Sequence, residues 1–155
     1  MRLMPARGFA ALALLACTSA GAAPGNALER RASVDDLLPA AQAFDLMPIE
    51  RRGAQLHLSW NIAPGYYLYR QRIRVELLGP TAAGLRPIRL PQGIDHVDEH
   101  FGAVQIYRGL LEAEVPLNLP AAAAQQPLRL RVSFQGCADA GVCYPPQTLT
   151  QTLNP

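Results

Sequence analysis

The sequence predicts an all-β domain folded as a β-sandwich, with a small closed barrel as the alternative. Two observations carry this. Apolar and polar residues alternate over four long stretches, and Pro and Gly punctuate the chain between them. Leu56, Leu58, Trp60 and Ile62 alternate with His57, Ser59 and Asn61. Ile73, Val75 and Leu77 alternate with Arg72, Arg74 and Glu76. Leu111, Ala113, Val115 and Leu117 alternate with Glu112, Glu114 and Pro116, and Leu128, Leu130, Val132 and Phe134 with Arg129, Arg131 and Ser133. A period of two sets one face against a core and the other in water. Shorter strand candidates are 45–50, 85–90, 104–107 and 148–153. Roughly eight short strands, each with one buried face, make two packed antiparallel sheets.

The N-terminal residues form an export signal by pattern. Residues 1–8 carry Arg2 and Arg7, residues 9–16 are a short apolar run, and Ala20-Gly21-Ala22 fits an A-x-A cleavage site. The apolar run is too short to span a bilayer, and no other stretch is apolar for long enough. The expected signal peptide is therefore 1–22. Leu14-Leu15-Ala16-Cys17 also resembles a bacterial lipobox, although Leu15 is not the usual small residue there. In that alternative Cys17 carries a lipid anchor. Residues 23–34 read as a flexible lead-in, and the folded domain as 35–155. Residues 34–44 are expected to form one or two helical turns broken near Pro39. Residues 118–127, bracketed by Pro120 and Pro127, read as a connection without a helix.

All 14 basic residues of the 155 are Arg, against 12 Asp and Glu. Removing Arg2 and Arg7 with the export signal leaves 14 − 2 = 12 Arg and a net charge near zero. A neutral domain lacks the electrostatic footprint of a nucleic-acid binder.

The chemistry concentrates in Gly136-Cys137-Ala138-Asp139-Ala140-Gly141-Val142-Cys143-Tyr144-Pro145-Pro146. Cys17 leaves the folding problem whether cleaved or lipidated, so Cys137 and Cys143 remain as a pair in an oxidising compartment. A plain staple is one reading, although a seven-residue ring contributes only about 2–2.5 kcal/mol by loop closure. A metal site is poorly supported. Two cysteines fall short of a structural zinc set, and His57, His96 and His100 lie far off and read as surface residues. A redox-active pair is the third reading. Small residues within the ring allow a partner thiol to approach, and Gly141 helps the ring turn back. Tyr144 supplies an aromatic wall. Asp139 is acidic and the ring holds no cation, so nothing in it stabilises a thiolate. Spacing alone leaves staple and redox pair both open.

The same stretch resembles the active-site loop of the N-terminal periplasmic domain of the bacterial thiol:disulfide interchange protein DsbD. Gly65-Tyr66-Tyr67-Leu68-Tyr69-Arg70 looks like that family's tyrosine strand. Leu90-Pro91-Gln92-Gly93, Asp98-Glu99-His100-Phe101-Gly102 and Ile106-Tyr107-Arg108 resemble its cap-loop region. The likeness runs from about Leu38 to the C-terminus. It implies an immunoglobulin-like β-sandwich with an active-site disulfide loop and a cap loop. The implied function is a thiol–disulfide relay without any cofactor beyond the Cys137–Cys143 disulfide. The implied electron donor is a thioredoxin-like domain reduced by a polytopic membrane reductase. The implied acceptors are a periplasmic disulfide isomerase or a cytochrome c maturation thioredoxin. By the same resemblance Cys143 forms the mixed disulfide, Cys137 resolves it, and Tyr67 and Tyr69 lie beside them. Asp98 and Glu99 of the cap would disfavour a nearby thiolate.

Two departures stand out. The family commonly has Phe-Tyr where this chain has His100-Phe101, which predicts a leakier cap that loosens when His100 protonates. In addition, no membrane or thioredoxin-like domain follows Pro155, so the donor is expected to act in trans or to belong to a longer chain. The competing readings are a secreted binding module with a structural disulfide, or a partner-binding lipoprotein without redox turnover.

Overall fold

The computed structural model describes residues 36–79 and 81–155. The expected export signal, the Cys17 anchor and the lead-in lie outside the described residues. In chain order the elements are α1 (Ala40–Ala43), β1 (Phe44–Leu46), β2 (Glu50–Arg52), β3 (Gln55–Ile62), β4 (Tyr66–Tyr69), a 3₁₀ turn (Arg70–Arg72), β5 (Arg74–Leu78) and β6 (Gly84–Leu85). Then come β7 (Ile94–Asp98), β8 (Gly102–Tyr107), β9 (Leu110–Asn118), α2 (Ala121–Ala124), β10 (Leu128–Phe134), β11 (Gly136–Ala138), β12 (Val142–Cys143) and β13 (Gln147–Leu153).

The predicted alternation holds. Leu56, Leu58, Trp60 and Ile62 of β3 are buried, as are Leu111, Ala113, Val115 and Leu117 of β9 and Leu128, Leu130, Val132 and Phe134 of β10. All belong to one core, which the sheet β1-β3-β9-β6 (with β2 on β3) shares with the sheet β13-β10-β5. Trp60 meets Phe134 edge to face across that core, with ring centroids 6.0 Å apart.

The strand count exceeds the expected eight because extended segments are broken by local chemistry. Residues 45–50 divide into β1 and β2 around Pro48, which has no N–H to give a ladder. Residues 85–90 pair only at Leu85 and in an isolated bridge between Arg89 and Glu114. Pro39 and Pro120 do not interrupt helices. Each occupies the N-cap position of a single helical turn, so 118–127 contains α2 where a plain connection was expected.

Three breaks share one level of the structure. The 3₁₀ turn separates β4 from β5, Gln135 separates β10 from β11, and Pro145-Pro146 separates β12 from β13. Three neighbouring chains thus leave the sandwich together and enter a second sheet, ordered β12-β11-β4-β8-β7. This sheet carries both cysteines. Gly136 stands at the bend. A Cβ there would lie 2.2 Å from the Tyr67 carbonyl oxygen and 2.7 Å from the Phe44 ring. Only a residue without a side chain lets β11 seat against β4 beside the aromatic cluster of Phe44, Tyr66 and Tyr144.

Gly136→Ala is therefore expected to destabilise the oxidised domain by about 1–3 kcal/mol, the range for overpacking a well-packed site. Denaturant unfolding with the disulfide intact measures this. A midpoint equal to the parent's would show that the backbone shifts freely at the bend.

Candidate redox site

β11 is the central strand of the site. It pairs with β4, placing Cys137 opposite Tyr67, and with β12, placing Cys137 opposite Cys143. This register brings the two Cα atoms to 4.0 Å, and the sulfurs are bonded as a disulfide. The sulfurs are unequal. Cys137 lies between two strands and is 0% exposed, whereas Cys143 occupies the edge strand and is exposed.

Tyr69 connects the disulfide to the cap. It is wholly buried, in a small cluster with Tyr67, Ile106 and Cys137. Its hydroxyl lies 3.1 Å from Cys137 Sγ and 3.8 Å from Cys143 Sγ. The same hydroxyl donates to Asp98 Oδ2. Asp98 Oδ1 accepts the backbone N–H groups of His100 (2.8 Å) and Phe101 (2.9 Å), which closes the tight turn between β7 and β8. One carboxylate thus shapes the cap and ties it to the tyrosine beside the sulfurs.

The protonation states follow from these contacts. Burial, and then the hydrogen bond to Asp98, push the Tyr69 phenol far above its ordinary value. The hydroxyl therefore keeps its proton and points it at the carboxylate. The Tyr69 hydrogen bond, helped by the two backbone donors, holds Asp98 below its ordinary value against the opposing effect of burial. With its proton committed to Asp98, Tyr69 presents lone pairs to the sulfurs. It can accept from a Cys137 thiol but cannot stabilise a thiolate without releasing Asp98.

The predicted site residues are distributed unevenly. Tyr67, Tyr69, Asp98, Phe101, Cys137 and Cys143 come together. Phe101 packs edge to face on Tyr69, with centroids 5.2 Å apart. His100 is exposed in the turn, and Glu99 is exposed beside it. A protonated His100 would sit close enough to Asp98 to help lower its pKa, which is an attraction. Tyr144 does not wall the sulfurs. Side chains alternate along extended backbone, so Tyr144 turns to the opposite side from Cys143 and packs against Phe44. Its hydroxyl donates to the Leu38 carbonyl at 2.6 Å.

Two contributors were not among the predicted site residues. His96, taken there as a surface residue, packs on Tyr67 with centroids 5.2 Å apart. Arg108 grips Asp139 with both guanidinium nitrogens, at 3.0 and 2.7 Å, and lies over the Tyr67 ring at 5.0 Å. The acidic residue inside the disulfide ring is thereby paired with a cation from outside it, which spacing along the chain could not reveal. Among the described residues no cluster of three or more His, Cys, Asp or Glu is arranged to hold a metal ion.

Tyr69→Phe should raise the Asp98 pKa, because it removes the largest influence lowering it. A carboxyl lowered on folding stabilises the fold above its unfolded value near 3.8, and that stabilisation is lost as pH falls through the lower folded value. The variant should therefore be less stable at neutral pH by about 1.5–3 kcal/mol, the range for a hydrogen bond to a charged group. The deficit should shrink in acid. A carbon-detected NMR titration of Asp98 with unfolding between pH 3 and 7 tests both; an unmoved Asp98 titration would refute the assignment.

Residues 34–155 match the family described as the N-terminal domain of thiol:disulfide interchange protein DsbD. A relative from Pseudomonas aeruginosa, thiol:disulfide interchange protein DsbD 2, is 49% identical over 129 residues, covering 82% of this chain and 20% of the relative. The Escherichia coli K12 protein is 40% identical over 155 residues, covering 97% of this chain and 25% of its own length. This chain thus spans a quarter or less of these relatives. The crystal structure of the Neisseria meningitidis DsbD N-terminal domain in the reduced form superposes with a TM-score of 0.69 at 28% identity, covering 79% of this chain and 94% of that one. The same domain in complex with a PilB N-terminal domain gives a TM-score of 0.62 at 30% identity, covering 79% and 89%. The fold of this chain is therefore the immunoglobulin-like sandwich of that domain, and the chain belongs to the DsbD N-terminal family.

Proposed function

We propose that this domain is a periplasmic thiol–disulfide relay that carries electron pairs through Cys137 and Cys143. The observation that carries this reading is the inequality of the two sulfurs, one exposed on an edge strand and one buried beneath Tyr69. A partner thiolate can approach Cys143 Sγ. It bonds to that sulfur, the Cys137–Cys143 bond breaks, and Cys137 leaves as a thiolate that takes up a proton. A second partner thiol then displaces Cys143, which leaves both domain cysteines reduced and the partner oxidised. Run in reverse on a disulfide-bonded acceptor, Cys143 forms the mixed disulfide and Cys137 resolves it.

The cap supplies selectivity in this reading. Asp98, Phe101 and Tyr69 close over the buried sulfur, and Tyr67 with His96 supports them from beneath. Glu99 and His100 stand at the exposed tip. The donor is a thioredoxin-like domain reduced by a polytopic membrane reductase, and the acceptors are a disulfide isomerase or a cytochrome c maturation thioredoxin. The Neisseria complex with PilB supports recognition of a protein partner by this kind of domain. The organisation is an export signal over 1–22, a lead-in over 23–34 and the functional domain over 35–155. The family match beginning at residue 34 supports the last boundary. In the lipidated alternative Cys17 anchors the same domain to the membrane.

Single-cysteine variants test the roles. A Cys137→Ser protein should accumulate mixed disulfides with periplasmic proteins, visible on non-reducing gels, while a Cys143→Ser protein should accumulate few. The reverse pattern would overturn the assignment. A reduction potential far below about −300 mV would mark an inert structural bond and sink the relay itself.

A further inference from the structure

The cap needs something to keep it shut, and the ring it uses makes two contacts. Phe101 and Tyr69 pack edge to face, with ring centroids 5.2 Å apart. Against its ring also lies the Arg72 guanidinium, 4.6 Å from the centroid. Phe101 itself is 38% exposed, so water competes for it directly. Arg72 has no carboxylate partner among the described residues, and the ring is the contact it makes.

The backbone that presents Arg72 is fixed at both ends. Arg70, at the start of the 3₁₀ turn, donates to the Pro91 carbonyl and to the Tyr107 hydroxyl, the latter at 2.6 Å. Ile73, just past the turn, is buried, and its N–H donates to the Arg70 carbonyl at 3.3 Å. Arg72 is therefore a cation on a rigid mount. A displaced Phe101 also has somewhere to go. It lines a groove of about 840 Å³ between the turn and the cap hairpin, whose apolar lining includes Ile73, Ile88, Leu90 and Val104.

We propose that Arg72 is a positioning residue that latches Phe101 over the disulfide and so sets how well the site rejects small thiols. The inference rests on the relay reading of Cys137 and Cys143. His100 is exposed in the turn, so Phe101 is the ring that packs on Tyr69, and the cation from the neighbouring turn reinforces it. A small thiol reaches the sulfurs only when Phe101 leaves unaided. A protein partner touches the cap and displaces the ring through its own contacts. Loss of the latch therefore affects the first far more than the second.

The test is the rate at which dithiothreitol reduces the oxidised domain. Its thiolate attacks Cys143, Cys137 leaves as thiolate, and its second thiol closes the six-membered ring, leaving two domain thiols. Arg72→Gln should react about two- to five-fold faster, the range supported by a cation–π contact at an exposed site. Arg72→Lys should recover most of the slow rate, which a merely structural role for the guanidinium would not produce. Phe101→Leu should also react faster, and the Arg72→Gln/Phe101→Leu double variant no faster than Phe101→Leu alone. Equal rates for parent and Arg72→Gln, or additive effects in the double variant, would overturn the latch. Reduction by reduced thioredoxin is measured on the same proteins. Failure of thioredoxin to reduce any of them would count against the relay reading, while the dithiothreitol series would still decide the latch.

Discussion

A carboxylate taken out of water must be hydrogen-bonded, or the fold loses several kcal/mol for it. Asp98 is the one charged side chain buried among the described residues, at 8% exposure, and much of the site follows from how it is satisfied. One oxygen takes two backbone donors and thereby fixes the β7–β8 turn. The other takes the Tyr69 hydroxyl and thereby fixes the cap to the sheet that holds the cysteines. Neither half works alone. Without the turn the carboxylate would not reach Tyr69, and without Tyr69 the burial of Asp98 would favour an open, hydrated cap. The Tyr69 oxygen beside Cys137 is thus an outcome of charge satisfaction at a residue that touches neither sulfur directly.

The second constraint is the common bend. Three chains cross from the sandwich into the redox sheet, and each is interrupted by its own means: a 3₁₀ turn, a Gln135-Gly136 step and a pair of prolines. The sandwich supplies the rigid mount, and the bend lets the cysteine ribbon turn away from the main core. The split in hydrophobic clustering reflects this. Tyr66 and Tyr144 pack into the main core, while Tyr67, Tyr69 and Cys137 form a separate cluster. Residues 66, 67 and 69 lie within one strand, yet they serve two cores because their strand runs between both. The edge position of β12 then leaves Cys143 exposed without any special feature of its own sequence.

The sandwich was legible from the sequence because period-two burial is a one-dimensional signal. Three of the long alternating stretches became strands with the expected face buried, while the stretch from Arg72 to Leu77 entered its strand only at Arg74, with Val75 and Leu77 half-buried. The helical turns after Pro39 and Pro120 were misjudged, since a proline that ends one segment also starts another well. The cysteine pair and most of the cap were legible through motif resemblance. What stayed hidden was side-chain direction and contact across the fold. Tyr144 adjoins Cys143 in sequence yet faces the main core. Arg108 is 31 positions from Asp139 yet neutralises it. Arg72 was assigned only to the polar face of a strand, whereas it lies on a 3₁₀ turn above Phe101. Each depends on which face a residue takes after a bend, and alternation patterns do not carry past an interruption.

The charges around the disulfide also make sense as a set. Acidic groups near a sulfur oppose thiolate formation and so favour the closed disulfide. Two acidic groups near the sulfurs differ in how freely they exert that effect. Asp139 is paired with Arg108, so its field at the ring is largely cancelled. Asp98 is bound only by neutral donors, so its charge is redistributed but not cancelled. Its hold on Tyr69 makes the effect conditional. While the cap is closed, Tyr69 faces the sulfurs with lone pairs. Were that bond broken, the hydroxyl proton would be free to turn toward the Cys137 sulfur, 3.1 Å away. The Tyr69–Asp98 hydrogen bond therefore decides whether the group beside Cys137 is an acceptor or a donor.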